Sequence, residues 1–222
     1  MQGSYKTAAG PALSTAAHGA SDDPARGMKE LLGLAGFAFV VSITPGPNNS
    51  LLWASGIRFG FRRTGRHVVG TALGMGVLVL AVAAGIGVVL LAVPGAELAL
   101  KLVGSAYLLY LAVRIAVSRG GGRAVASRPL GVLGAAAFQF ANPKAWLFAL
   151  AAVGTFLPPG LPPVAAALAV AASSAAVIVA TAAVWAAGGA ALNRVVVGGR
   201  AQRVVSVVLA LLLAASVAFI WL

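Results

Sequence analysis

A proline-rich break interrupts the first long apolar stretch and constrains the fold of this chain more than any other feature. The stretch runs from about Leu31 to Gly56, which is long enough for a helix to cross a bilayer. Its centre holds six residues that do not favour a continuous helix, Thr44, Pro45, Gly46, Pro47, Asn48 and Asn49. Because proline has no backbone N–H, the carbonyls of Val41 and Ile43 lose their helical partners. The break therefore indicates either a kinked packing helix or a site where protein groups or water satisfy freed backbone.

Composition assigns the chain to the integral membrane proteins. Of its 222 residues, 60% are hydrophobic and 9% are charged, and the mean hydropathy is +0.98. The net charge of +12 does not indicate a nucleic-acid partner, because the basic residues lie mainly in short connections between apolar stretches. With no cysteine, the chain has no thiol nucleophile and no disulfide. No catalytic residue, metal ligand or cofactor is predicted.

Six apolar stretches predict an all-α protein with six transmembrane helices, of which the first and fourth are broken by proline motifs. Residues 1–27 are rich in Ala, Gly and Ser and are expected to form a disordered tail, and residues 28–222 a single transporter domain. The stretches are Leu31–Gly56, His67–Val93, Leu98–Val117, Leu130–Leu157, Val164–Ala190 and Val204–Leu222. His67 begins the second stretch beside Arg66, which favours a surface position for its imidazole.

The basic residues in the connections are distributed unequally. The first, third and fifth connections contain eleven arginines, whereas the second and fourth contain only Lys101. Cytoplasmic loops of membrane proteins carry an excess of Lys and Arg. We therefore expect the odd-numbered loops in the cytoplasm and the chain in the cell's inner membrane.

The two halves of the chain show the pattern of an inverted repeat. Three stretches, at about 31–117, precede the basic third loop and three follow it, at about 130–222, so the halves would have opposite orientations. Sliding the sequence by 98 residues lays Pro45 on Pro143. The coincidence of two proline breaks gives this repeat its weight.

The second break carries a charge deep inside an apolar stretch. Pro143 removes a helical partner from the Gln139 carbonyl, and Lys144 places an ammonium there at a cost of roughly 3 kcal/mol if it is unpaired. Lys144 thus either satisfies broken backbone or faces a polar cavity. Half-helix N-termini favour a carboxylate, freed carbonyls can accept an ammonium, and no Asp or Glu lies inside any stretch. The pattern predicts a site for a zwitterion, built from Thr44, Pro45, Gly46, Pro47, Asn48, Asn49, Asn142, Pro143 and Lys144.

Four segments resemble the LysE/RhtB family of amino-acid exporters. They are TPGPNN at 44–49, SGIRFGFRRTGRHVVGTALG at 55–74, KLVGSAYLLYLAVR at 101–114 and NPKAWLF at 142–148. The resemblance implies six helices in two inverted three-helix halves, and proton-motive-force-dependent efflux of amino acids or their derivatives. It also implies that seven residues occupy signature positions, namely Pro45, Gly46, Pro47, Asn48, Asn142, Pro143 and Lys144. NPK together with the missing intramembrane carboxylates is similar to the branch that exports neutral amino acids such as threonine, homoserine or leucine.

Several alternatives stay open beside this secondary exporter. The substrate could instead be a basic amino acid or another small metabolite, and a passive channel would differ by lacking saturation and counterflow. An intramembrane enzyme would need a nucleophile with a base, and the sequence offers only a serine with Lys144. The expected partners are an amino-acid substrate, protons as coupling ion and the lipid bilayer, and the glycine-lined stretches permit a homodimer.

The charge asymmetry generates a topology prediction. Single cysteines introduced at Gly60 and Gly121 are expected to be shielded from an impermeant thiol reagent in intact cells, because both positions lie in basic loops. Strong labelling from outside would reverse the proposed orientation.

Overall fold

The computed structural model describes residues 24–117, 128–195 and 199–221, and all regular structure within these ranges is α-helical. The predicted all-α class is therefore confirmed. The helices are α1 (Pro24–Ile43), α2 (Pro47–Phe59), α3 (Phe61–Ala83), α4 (Ile86–Ala92), α5 (Ala96–Ala116), α6 (Val132–Phe140), α7 (Pro143–Phe156), α8 (Pro163–Val195) and α9 (Gly199–Trp221). Residues 1–23 of the predicted tail, the basic segment 118–127, residues 196–198 and Leu222 lie outside the described residues, and residues 24–27 begin α1.

Both predicted helix breaks are present. α1 ends at Ile43, and α2 begins at Pro47 after a bend of 61°. α6 ends at Phe140, and α7 begins at Pro143. In each pair the second half-helix starts with a proline, where the missing N–H removes no intrahelical bond and the fixed φ suits the first turn. The prolines therefore start new helices as well as ending old ones.

The apolar stretches and the helices have different bounds. By length and composition, two described helices could cross a membrane, Phe61–Ala83 and Pro163–Leu192, and the bent α1–α2 pair would make a third. The second stretch is interrupted at Gly85, which has a φ of 95° and separates α3 from the short α4. Shorter apolar helices cover Leu98–Val113, Pro143–Phe156 and Arg203–Ala218. A hydropathy window measures how apolar the side chains are, and it does not detect where a turn of the backbone interrupts a helix.

The two long helices α3 and α8 pack against each other, and each also packs on the broken helix from the opposite half of the chain. α8 also packs against α1 and α2, the two halves of the first broken helix, whereas α3 packs against α6 and α7, the two halves of the second. Apolar side chains from α1, α3, α7 and α8 form the largest buried cluster, which includes Leu34, Leu78, Val79, Ala149 and Val170. α5 and α9 pack together beside this bundle, and the Trp221 Nε1 donates to Ser105 Oγ at 3.0 Å.

Glycines allow two of these helix pairs to meet backbone to backbone. A Cβ added to Gly56 of α2 would collide with the Ala186 carbonyl oxygen of α8, and one added to Gly189 of α8 would collide with the Trp53 carbonyl oxygen of α2. On the other pair, a Cβ at Gly74 of α3 would lie 2.5 Å from the Cα of Ala136 in α6. Small residues at such crossings are what close helix packing in membranes requires.

Gly70 of α3 provides a test of this packing. An alanine methyl there would collide with the Val132 carbonyl oxygen and lie 2.8 Å from Ala135 Cβ, so Gly70→Ala is expected to destabilise the protein by about 1–3 kcal/mol. Gly76→Ala on the same helix is the control, because nothing lies within 4 Å of its added methyl. Thermal unfolding in detergent should show a lower midpoint for Gly70→Ala only, and equal midpoints would refute the close α3–α6 contact.

Candidate functional site

The backbone carbonyls at the first break are hydrogen-bonded mainly by side chains of the same segment. Asn49 donates both amide protons, to the carbonyls of Ser42 at 2.7 Å and Thr44 at 2.8 Å. The hydroxyls of Ser42 and Thr44 each donate to a carbonyl one turn earlier, those of Ala38 and Val40. These bonds satisfy the end of α1, where four carbonyls have no intrahelical partner. Asn49 therefore acts here as a cap that holds α1 to α2.

Lys144 joins the two breaks. Its Nζ donates to the carbonyl oxygens of Thr44 at 2.9 Å and Pro45 at 3.3 Å, across about a hundred residues of sequence. The predicted pairing of Lys144 with broken backbone is confirmed, although the carbonyls involved are those of Thr44 and Pro45 rather than Val41 and Ile43. An ammonium has three protons, so one remains for another acceptor.

Gly46 makes room for the lysine. Its φ of −175° is extended backbone that any residue adopts, so torsion does not require glycine here. An added Cβ would lie 3.1 Å from Lys144 Cδ and 3.2 Å from Lys144 Nζ, so the lysine side chain would have to shift by a few tenths of an ångström. The glycine of the first break and the lysine of the second thus fit each other directly.

The second break is closed by a tighter turn. The N–H of Ala141 donates to the Phe138 carbonyl at 3.1 Å, and that of Asn142 to the Gln139 carbonyl at 3.2 Å. The expectation that Pro143 frees the Gln139 carbonyl is therefore wrong, since a shortened turn supplies the donor that proline lacks. The Trp146 indole N–H closes the junction by donating to the Phe140 carbonyl at 2.9 Å.

A cavity of about 50 Å³ lies between the breaks and the long helices. One ordered water needs roughly 10–15 Å³ of such volume, so the cavity has room for a few waters or for a ligand of similar total size. Its lining comprises Val41, Ser42, Gly46, Pro47, Asn48, Asn49, Thr71, Met75, Gln139, Asn142, Lys144, Ala145, Phe148, Ile178, Thr181 and Ala182. No acidic side chain is among these residues.

The structure brings six of the nine predicted site residues to this cavity, Gly46, Pro47, Asn48, Asn49, Asn142 and Lys144. The other three do not line it. Thr44 and Pro45 are exposed and supply the carbonyls that Lys144 binds, and Pro143 is buried at the start of α7. Pro45 and Pro143 thus shape the site through the backbone without lining it, whereas Pro47 does both.

Four polar lining residues were not predicted as site residues, Ser42, Thr71, Gln139 and Thr181. Gln139 Nε2 lies 3.2 Å from Asn48 Oδ1 and donates to it, and the Thr71 hydroxyl lies at the same distance from that oxygen. The Thr71 hydroxyl is also 2.9 Å from the His67 carbonyl, and its single proton can serve only one of the two acceptors. The available signal was their polarity inside apolar stretches, which marks residues that face a bundle interior.

The site retains unused hydrogen-bonding capacity. Asn142 Oδ1 is buried and has no hydrogen-bond partner. Neither the N-terminus of α2, capped by Gly46, nor that of α7, capped by Asn142, has a side-chain cap hydrogen bond. Each N-terminus carries the positive end of a helix dipole. The cavity therefore combines two positive helix ends and an ammonium with one vacant amide acceptor.

Comparison with known proteins adds evidence that is independent of the structure. The cysteine/O-acetylserine efflux protein of Salmonella typhi is 32% identical over 123 residues, which are 55% of this chain and 63% of that protein. The protein of the same description from Escherichia coli is 31% identical over the same shares. The chain thus spans less than two thirds of the length of these relatives. No solved structure matches it.

The model of the LysE type translocator family matches residues 39–220, which include both helix breaks and every residue that lines the cavity. The resemblance noted in the sequence is confirmed, and the chain belongs to the LysE type translocator family.

Proposed function

We propose that this protein is a secondary active exporter of amino acids with uncharged side chains, driven by the proton motive force. The observation that carries the proposal is the Lys144 ammonium, which bonds two backbone carbonyls at the edge of a cavity without an acidic lining residue. A fixed cation with a free donor suits an anionic group of a substrate. In a weakly hydrated site its attraction for that group is stronger than in water.

The substrate carboxylate is proposed to bind between Lys144 and the two helix N-termini. Pro47 and Pro143 bring no N–H to the first turns, so the free backbone donors there belong to the residues that follow them. These donors and the helix dipoles favour an anion. Discontinuous helices whose N-termini face a central site are a recurring way in which transporters hold a carboxylate.

The substrate ammonium is proposed to bind Asn142 Oδ1, which has no partner in the structure. The carbonyls freed at the first break were expected to receive it, but those of Thr44 and Pro45 accept from Lys144. The Thr44 carbonyl also accepts from Asn49, so both lone pairs of that carbonyl oxygen are already used. Asn142 is thus the better placed acceptor, one residue from the lysine that would hold the other end of the zwitterion.

We propose that the protein is a carrier with alternating access, in which the cavity of about 50 Å³ opens to one side of the membrane at a time. A passive channel would need a continuous path instead. We propose that the two broken helices belong to inverted three-helix repeats. The helix packing supports this, because α3 packs on both halves of the second broken helix, α6 and α7, and α8 packs on both halves of the first, α1 and α2.

Two considerations favour uncharged side chains over basic ones. A second cation on the substrate would meet Lys144 with no acidic residue in the cavity lining. Cysteine and O-acetylserine, named in the descriptions of the relatives, are small zwitterions with uncharged side chains. We further propose an inner-membrane location with odd-numbered loops in the cytoplasm, which the arginine distribution supports.

Replacement of Lys144 tests the carboxylate site. Lys144→Met is expected to fold, because it removes a costly intramembrane charge, and to bind amino acids about 2 kcal/mol more weakly, or roughly thirtyfold. Lys144→Arg keeps the charge with a different geometry and should retain partial activity. Counterflow in proteoliposomes measures both variants, with thermal unfolding as the check on folding. Undiminished transport by the Met variant would remove Lys144 from the site.

Competition measures the substrate class. Threonine, leucine and cysteine are expected to inhibit counterflow more strongly than lysine or arginine, because a second cation finds no counter-charge beside Lys144. The same panel applied to Lys144→Met should show a smaller gap between neutral and basic amino acids. Tighter competition by lysine in the unaltered protein would contradict the proposed preference.

A further inference from the structure

His67 is the most unusual polar residue outside the proposed substrate site. The sequence favoured a surface position for it, and that expectation is wrong, because the side chain is only 1% exposed. Neither Nδ1 nor Nε2 has a hydrogen-bond partner in the structure. Burying a polar group without a partner costs roughly 1–3 kcal/mol. Because no hydrogen bond in this structure offsets that cost, the imidazole is expected to interact with another group in a different conformation of the protein.

Neither α3 nor any described helix that packs on it carries an anionic side chain that could pair with an imidazolium. Among the helices that pack on α3, α2 carries Arg58, α7 carries Lys144 and α8 carries Arg194, while α4 and α6 carry no charged residue. α3 itself adds three more cations, Arg62, Arg63 and Arg66. The imidazole is therefore neutral in this conformation, and it can hold a proton only when water reaches it.

His67 lies between the cavity and the end of α3 next to the first loop. Thr71 and Met75, which line the cavity, follow it on the same helical face at intervals of one turn. On its other side, one turn earlier, Thr64 is fully buried and its hydroxyl lies 3.0 Å from that of Ser55. Buried polar groups thus continue past the cavity toward the first loop, with the imidazole in the middle of the series.

We propose that His67 carries the coupling proton of transport, an inference that rests on the proposed export function. When the cavity opens to the outside, a hydronium ion gives a proton to the lone pair of an imidazole nitrogen and becomes water. When the other side opens, the imidazolium gives that proton to a water molecule on the side of the first loop, which forms hydronium there. One proton thus moves inward for each amino acid exported, and each transfer only exchanges an O–H bond for an N–H bond or the reverse.

Other residues of the spans are less suited to this task. The six apolar stretches contain no Asp or Glu, and histidine is the side chain whose unperturbed titration falls between about pH 5 and 8. Lys144 already donates to two carbonyl oxygens and is the proposed partner of the substrate carboxylate. The coupling proton is therefore assigned to the imidazole, for which no hydrogen bond competes among the described residues.

A comparison of exchange with driven transport tests the proposal. The probe is whichever of threonine, leucine and cysteine the unaltered protein exchanges best in proteoliposomes. A pH difference of roughly one unit should drive about tenfold accumulation at one proton per substrate. His67→Gln is expected to retain counterflow, which needs no net proton movement, and to lose the accumulation. His18→Gln, the same substitution at the other histidine of the chain, should leave both unchanged.

The outcomes separate this inference from the proposed function. Normal accumulation by His67→Gln overturns the role of His67, whereas absence of counterflow in the unaltered protein overturns amino-acid export itself. If His67→Gln loses counterflow as well, direct titration decides. With His18→Gln, His67 is the one histidine in the chain, so selective isotope labelling gives a single imidazole signal by NMR.

That signal is expected to change as the imidazole takes up a proton when the pH is lowered from about 8 to about 4. Saturating amino acid should move its midpoint to lower pH, because two ligands that exclude each other do so reciprocally. A signal that stays unchanged over this range, with and without amino acid, overturns the proposal.

Discussion

The bond between the Lys144 ammonium and the carbonyls of Thr44 and Pro45 is the interaction on which the rest of the site depends. It turns two separate defects into one structure, because the helix broken at residues 44–46 supplies acceptors and the helix broken at 141–142 supplies the donor. Each defect alone would leave costly polar groups in an apolar protein. Together the two breaks supply many of the hydrogen bonds that each lacks alone, and the small cavity lies where they meet.

The sequence predicted those features that follow from local chemistry. Pro47 and Pro143 fix the starts of α2 and α7 whatever surrounds them, and the charge of Lys144 demanded an acceptor wherever it lay. The meeting of the two breaks also followed, since an offset of 98 residues aligns Pro45 with Pro143. Six of the sixteen lining residues could therefore be named, and all six lie within a few positions of the prolines.

Features that depend on long-range packing escaped sequence analysis. Which carbonyls Lys144 would bind depended on Asn49 first capping Ser42 and Thr44, and the pairing of Asn48 with Gln139 joins residues 91 positions apart. His67 looked like a boundary residue because Arg66 precedes it, but α3 begins six residues earlier, at Phe61, and turns the imidazole into the bundle. Hydropathy likewise overstated the continuity of the second stretch, which Gly85 divides.

The glycine contacts have a mechanical consequence. α2 and α8 meet through their backbones at Gly56 and Gly189, and α3 and α6 meet in the same way at Gly70 and Gly74. Surfaces in such close register cannot slide without collision, so each pair is expected to move as one rigid unit. Each unit joins a half-helix to a long helix from the other half of the chain, and one end of each half-helix lies at a break. We expect relative motion of the two units to bend the chain at the breaks, and such motion would separate the Lys144 ammonium from the carbonyls of Thr44 and Pro45.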